Sequence, residues 1–198
     1  MSDPALILAS KSASRRAMLD AAGVTYICIP AEIDERAVES ELGSSSPAQV
    51  AEGLSLAKAY AVASFHPETL VLGSDSLVVC GGRRFDKPAT LAEAEQHLRF
   101  FSGKELQLHS GAALVRGSDA LWSHSSIARM QVRALSDAFI AHYLDQEWPA
   151  ISHTVGCFRI EGMGVQLFDR IEGDQFTILG MPLLPLLGAL RDHGVLTA

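Results

Sequence analysis

A short apolar run that passes through one glycine into a carboxylate constrains this chain more than any other stretch. Residues 69–72 are short, apolar and partly β-branched, which reads as a buried strand. They lead through Gly73-Ser74 straight to Asp75 and Ser76. A charged group is costly to bury without a partner, so an Asp at a strand tip faces a turn, a metal or a substrate. Lys87, in Asp86-Lys87-Pro88 just downstream, is a candidate complementary cation. Taken alone, the stretch is better read as a turn capped by Asp75 with Lys87 as a solvated loop lysine.

Around this stretch, strands alternate with helices early in the chain and hairpins dominate the middle. That pattern predicts an α/β fold with a mixed sheet. Residues 5–9 read as a strand, followed by a helix through Ala17, Met18, Leu19 and Ala22 that Gly23 caps. Residues 26–29 read as a second strand ending at Pro30, and residues 32–43 as an acidic, less regular stretch. Ser46, Pro47 and Gln49 make a capping box with proline at the first helical position, predicting a helix to about Ser64. After the strand ending at Asp75, a further strand over residues 77–80 is turned back by Gly81-Gly82. Thr90 with Glu93 opens a helix to about Phe100, stopped by Ser102-Gly103. Residues 106–115 and 120–132 form a strand pair joined near Gly117-Ser118-Asp119. Ser136 caps a short helix to Leu144, residues 156–171 mix glycines with strand-like residues, Glu172-Gly173-Asp174 is a turn, and a last helix follows Pro182.

With 198 residues, 48% of them hydrophobic, the chain suits one compact domain, or two tightly joined lobes, with a substantial core. No repeat, low-complexity run or linker divides it, so residues 1–198 are taken as one domain. A net charge of −7 without a basic stripe argues against a general nucleic-acid binder. Arg15-Arg16 and Arg83-Arg84 are isolated pairs, enough for a small anion. Cys28, Cys80 and Cys157 lie far apart, with neither metal-ligand spacing nor a disulfide framework, and are expected to be buried thiols. Asp3 and Pro4 precede a short apolar run that lacks a basic leader, unlike a signal peptide. Prolines interrupt the most apolar C-terminal stretch, so no membrane span and a cytoplasmic location are expected.

The first strand–helix junction is the second candidate site. A helix start presents free N–H groups and the positive end of its dipole, which favours phosphate. Ser10, Ser12 and Ser14 crowd this junction, and Arg15-Arg16 lie in the first turn, where the dipole disfavours them. A bound anion would explain the arginines; the simpler account is that Ser12 or Ser14 is an N-cap and the arginines are solvated. Gly162-x-Gly164 lacks the third glycine of a dinucleotide fingerprint, no phosphate-binding P-loop is present, and Ser55 lacks the glycine pair of a nucleophile elbow. The histidines are scattered, and Trp122 and Trp148 read as packing residues.

Residues 6–19, 32–35, 58, 73–76, 86–88 and 156–162, in this order, resemble the Maf family of nucleoside triphosphate pyrophosphatases. The similarity runs from about residue 6 to about residue 187. The first motif stands as Ala9-Ser10-Lys11-Ser12-Ala13-Ser14-Arg15-Arg16, with Ala13 where proline is usual. Asp75 falls on the essential aspartate, Lys87 on the lysine of a Gly-Lys-Pro motif whose glycine is Asp86 here, Glu32 on an acidic position and Lys58 on a helix lysine. Gly73-Ser74-Asp75, Glu161-Gly162 and Leu167-Phe168-Asp169-Arg170 are similar to the branch acting on 7-methyl-GTP. Ser76 stands where that branch has Gln, and Ser14 where an aromatic is frequent.

The resemblance implies a Maf/ITPase-like α/β fold, a mixed twisted sheet flanked by helices, with two lobes around a nucleotide cleft. It implies hydrolysis of a nucleoside triphosphate to the monophosphate and pyrophosphate. Asp75 would be catalytic; Ser10, Arg15, Lys58 and Lys87 would bind phosphate; Ser14, Ser76 and Glu161 would set specificity. Glu32 and Asp75 would hold a divalent cation, Mg²⁺ or Mn²⁺, and the chain would form a homodimer. The alternatives are a pyrimidine (dTTP or UTP) pyrophosphatase and a non-catalytic nucleotide-binding regulator of cell division. A phosphatase with Asp75 as covalent nucleophile would want a second Asp at the position of Leu77.

Overall fold

The computed structural model describes residues 5–197; Asp3 and Pro4 lie outside the described residues. The strands are β1 (Leu6–Leu8), β2 (Ile27–Cys28), β3 (Leu70–Cys80), β4 (Arg83–Phe85), β5 (Glu105–Arg116), β6 (Asp119–Val132) and β7 (Phe168–Glu172). Among the described residues they form one sheet in the order β2-β1-β3-β5-β6-β7, with β4 on β3. β1 pairs in parallel with β2 and β3, whereas β4 and β7 pair antiparallel, so the sheet is mixed as the pattern predicts. The helices are α1 (Ala13–Ala21), α2 (Glu35–Leu42), α3 (Pro47–Ala63), α4 (Leu91–Phe101), α5 (Asp137–Glu147), α6 (Gln175–Ile178) and α7 (Leu183–Asp192). No helix among the described residues is long and apolar enough to cross a membrane.

The chain divides into two compact units. The first comprises the residues up to Ser76, His109–Ser126 and the residues from Gln175 onward; the second comprises Leu77–Leu108 and Ile127–Asp174. In the first unit the period-2 alternation of the strands decides which helix each residue meets. Leu6, Leu8, Leu70 and Leu72 face Met18 and Leu19 of α1 and Leu183, Leu186 and Leu190 of α7. Ile7, Ala9 and Val71 point the other way, onto Ala59, Val62 and Ala63 of α3. In the second unit Phe85 packs edge-on against His97 and Phe101 of α4, with ring centroids 5.0 and 4.7 Å away.

Four expectations need correction. The strand does not end at Asp75: β3 runs unbroken from Leu70 to Cys80, and Asp75 sits inside it. Residues 32–43 are not irregular throughout, because Asp34 caps α2 by accepting a hydrogen bond from Ala37 N–H at 3.1 Å, and Gly43 ends it at φ 56°. The second strand shrinks to Ile27–Cys28, and both residues are exposed. Cys28 is therefore not a buried thiol, although Cys80 and Cys157 are.

Candidate functional site

The site in the first unit begins with two glycines. α3 lies on the sheet with a stripe of small residues, Ala51, Ser55, Ala59 and Ala63, spaced one turn apart. A Cβ on Gly73 would come within 1.9 Å of the Ser55 carbonyl oxygen, and one on Gly111 within 2.5 Å of the Ala51 carbonyl oxygen. These glycines are there for close approach, not for a turn. Asp75 is two residues beyond Gly73 and so shares the face that α3 covers. There Lys58 Nζ donates to Asp75 Oδ1 at 2.5 Å and lies 2.7 Å from Oε1 of Glu35, in the first turn of α2. The Lys58 and Asp75 side chains are 12% and 11% exposed, so the charges neutralise each other largely out of water.

The opposite face of β3 carries the serine and arginine residues. Ser12 caps α1 by accepting from Arg15 N–H at 3.4 Å, and its hydroxyl lies 3.0 Å from that of Ser14. Arg15 is buried. Its Nε donates to the Gly180 carbonyl at 2.9 Å, Nη1 to Ser10 Oγ at 3.2 Å and Nη2 to Ser76 Oγ at 3.0 Å. Gly180 follows α6 at φ 101°, a conformation that favours glycine, and its carbonyl also accepts from Ser76 Oγ at 2.9 Å. Burial pushes the Arg15 guanidinium below its ordinary value while Asp75 and Glu35 push back, so the cation feels both carboxylates. These partners explain a buried arginine at a helix start without an anion. A guanidinium has five N–H groups, so one hydrogen on each terminal nitrogen remains for a phosphate oxygen.

The structure thus joins Ser10, Arg15 and Ser76 on one face of β3 and Lys58 and Asp75 on the other, with Ser14 at the cap of α1, and the field of Asp75 reaches Arg15. Glu32 is exposed and lines a cavity of about 280 Å³ with Ile29, Pro30, Ala61, Val62 and Phe65, and no contact joins it to Asp75 or Lys58 among the described hydrogen bonds and ion pairs. The carboxylate that joins Asp75 is Glu35, which sequence reasoning left unassigned. An N-cap Asp followed by an acidic residue in the first turn was the available signal. Gly180 was also missed; a glycine shortly before Pro182 gives no hint of where its carbonyl points.

Lys87 and Glu161 belong to the second unit. Lys87 is exposed just after β4, and its neighbour Asp86 lies 3.5 Å from Arg84 Nη2. Glu161 is exposed on the loop after Arg159, whose Nε donates to buried Glu147 at 2.9 Å. Cys157 Sγ lies 3.5 Å from His97 Nδ1, and Glu93 Oε1 lies 3.7 Å from His97 Nε2, the order of a thiol–imidazole–carboxylate triad. Burial pushes the Cys157 thiol up to about 12 and His97 below its ordinary value, so the thiol is inert packing and not a nucleophile.

Asp75 and Glu35 are hard oxygen donors already sharing a cation, which suits Mg²⁺ or Mn²⁺. Among the described residues no three His, Cys, Asp or Glu side chains cluster as a metal cage. Two carboxylates fit a metal that brings its own waters and substrate phosphates, as Mg²⁺ usually does.

A family model described as Maf-like protein matches residues 5–193. The chain is 48% identical over 197 residues to the 7-methyl-GTP pyrophosphatase of Rhizobium meliloti (strain 1021), covering 98% of this chain and 99% of that one. It is 47% identical over 191 residues to the nucleoside triphosphate pyrophosphatase of Rhodopseudomonas palustris (strain HaA2), covering 96% and 95%. Among solved structures, a HAM1 protein from Coxiella burnetii overlaps 64% of this chain and 72% of its own, at 18% identity and a TM-score of 0.43, too low to bear on fold or activity.

Proposed function

The chain belongs to the Maf family, and on that premise we propose that it is a hydrolase that cleaves nucleoside triphosphates between the α- and β-phosphates. The products are the monophosphate and pyrophosphate, and the preferred substrate is a modified purine nucleotide such as 7-methyl-GTP. The observation that carries the proposal is the buried Asp75–Lys58 pair, joined by Glu35 and set beside a buried arginine that retains free donors.

Phosphoanhydride cleavage needs positioning, charge neutralisation and an aligned water more than covalent catalysis. Lys58 engages Oδ1 of Asp75, and Oδ2 is the oxygen that would orient the water and take its proton as the new P–O bond forms and pyrophosphate departs. Arg15 offers two N–H groups to phosphate oxygens and Ser10 a hydroxyl, and Lys58 adds positive charge; Lys87 is assigned a phosphate-binding role on the family resemblance alone. Held by Asp75 and Glu35, a divalent cation would neutralise phosphate oxygens and polarise the scissile bond.

Ser76 is engaged with Arg15 and the Gly180 carbonyl, so its hydroxyl holds the arginine rather than reading a base. On the family resemblance, base selection is assigned to Glu161, with Ser14 as a second specificity position. The Glu161 carboxylate can accept from guanine N1–H and the exocyclic amine. Methylation at N7 puts positive charge on the ring, which a carboxylate favours. Two relatives named 7-methyl-GTP pyrophosphatase support this preference. Homodimer formation is part of the same proposal, on the family resemblance.

The test is a panel of canonical and modified nucleoside triphosphates, including 7-methyl-GTP, dTTP and UTP, scored for pyrophosphate release with Mg²⁺ or Mn²⁺. The highest kcat/KM is expected for 7-methyl-GTP. Activity confined to dTTP and UTP would overturn the role of Glu161, and tight binding without turnover would overturn the enzyme.

A further inference from the structure

We propose that Glu147 is a positioning residue for base selection: it anchors the loop that carries Glu161 and keeps Arg159 from pairing with that carboxylate. This rests on Glu161 being the group that reads the base. Glu147 ends α5 and is buried at 6% exposure. A carboxylate is held there only if its oxygens are engaged. Oε2 accepts from Arg159 Nε at 2.9 Å and Oε1 from the Met163 backbone N–H at 3.2 Å. Those two partners lie two residues on either side of Glu161, so one buried side chain pins both ends of a five-residue span.

Two glycines beside Glu161 let the backbone approach Glu147 and Arg159 closely. Gly162 N–H donates to the Arg159 carbonyl at 3.1 Å. A Cβ on Gly162 would stand 3.2 Å from Glu147 Oε1, and one on Gly164 would stand 2.5 Å from the Arg159 carbonyl oxygen. Glu161, between these pinned residues, is exposed. Arg159 is 39% exposed and is held charged first by its hydrogen bond to Glu147 and then by the fields of Glu147 and Glu161. With the Glu147 charge removed, Glu161 is the next carboxylate for that guanidinium, and an ion pair would mask the group that meets the base. Glu147 thus acts through Arg159 and the loop backbone.

The experiment measures kcat and KM for 7-methyl-GTP and dTTP with the full chain, its Glu147→Gln, Arg159→Gln, Glu161→Gln and Glu147→Gln/Arg159→Gln variants. Glutamine at 147 keeps the shape and an oxygen for Met163 N–H. Glu147→Gln is expected to raise KM for 7-methyl-GTP about tenfold, with kcat changing far less, and to narrow the preference over dTTP. Adding Arg159→Gln removes the masking cation and is expected to restore most of the preference. Arg159→Gln alone gives up one anchor but keeps the Glu147 bond to Met163 N–H and removes the cation that would compete for Glu161, so it is expected to keep most of the preference, a measurement that stands even where Glu147→Gln does not fold. An unchanged preference in Glu147→Gln, equal losses for both nucleotides, or a collapse of preference in Arg159→Gln would each overturn the proposal. If Glu161→Gln leaves the preference intact, the assignment of Glu161 fails instead, and this proposal falls with it.

Discussion

Lys58 balances the charges of the site, because its ammonium is shared by Asp75 and Glu35. Removing the lysine leaves a buried aspartate without its cation, so Lys58→Met is expected to cost about 3 kcal/mol of stability. Chemical denaturation with a midpoint equal to wild type would contradict that partnership. Thiol chemistry is expected to follow burial as well: native protein should consume one equivalent of a thiol reagent at pH 8, at Cys28, and three after denaturation. Fast labelling of Cys157, held near 12, would contradict its packing. His97 gives the acid limb. An unfolded histidine titrates near 6.5 and burial holds His97 lower, so below about pH 6.5 the unfolded chain binds more protons and stability falls as pH falls. His97→Gln is expected to flatten that limb; an unchanged slope in denaturation curves would contradict the assignment. Asp75, Arg15 and Lys58 were legible because charged residues stood out against a strand, a helix start and a family motif. Glu35 and Gly180 were not, since only the packing of α2 and the turn after α6 bring their oxygens to the site. Cys28 misled because its apolar neighbours suggested a core strand, whereas β2 has two residues and is exposed.

At the scale of elements, the approach of α3 to the sheet sets the reach of Lys58. Gly73→Ala would drive a methyl into the Ser55 carbonyl, and neighbouring backbone cannot yield as a side chain can. The cost is expected at about 3 kcal/mol, the upper end of overpacking, with loss of activity through the displaced Lys58–Asp75 pair. A variant with wild-type stability would mean that α3 does not lie against β3 as described. Helix α3 itself was legible to within a residue, because its capping box and proline are local signals. The continuity of β3 was not. Gly-Ser-Asp-Ser favours turns as an isolated sequence, but pairing with β1 up to Leu72 and with β4 from Val78 holds the segment extended. Helix α2 was missed because it buries no residue fully, so its apolar periodicity was faint and only its cap marked it.

At the scale of the molecule, strands β3, β5 and β6 each contribute residues to both compact units. The units are therefore assembled from interleaved segments, and no linker composition could have marked their limits. The mixed sheet with flanking helices was legible because strand and helix periodicities alternate early and hairpins follow. The chemistry gathers where β1 has ended: the Ala9 N–H donates to the Leu72 carbonyl, and Asp75 follows three residues on, beyond the carboxyl end of β1, where ligands of open α/β sheets bind. Asp75→Asn leaves Lys58 paired with Glu35, so the fold should survive while the water-orienting oxygen is lost. The most direct measurement is phosphorus NMR of the products formed from 7-methyl-GTP by wild type and by folded Asp75→Asn. The predicted result is monophosphate and pyrophosphate in equal amounts from wild type, and neither from the variant. Orthophosphate as the first product, or undiminished pyrophosphate release by Asp75→Asn, would contradict it.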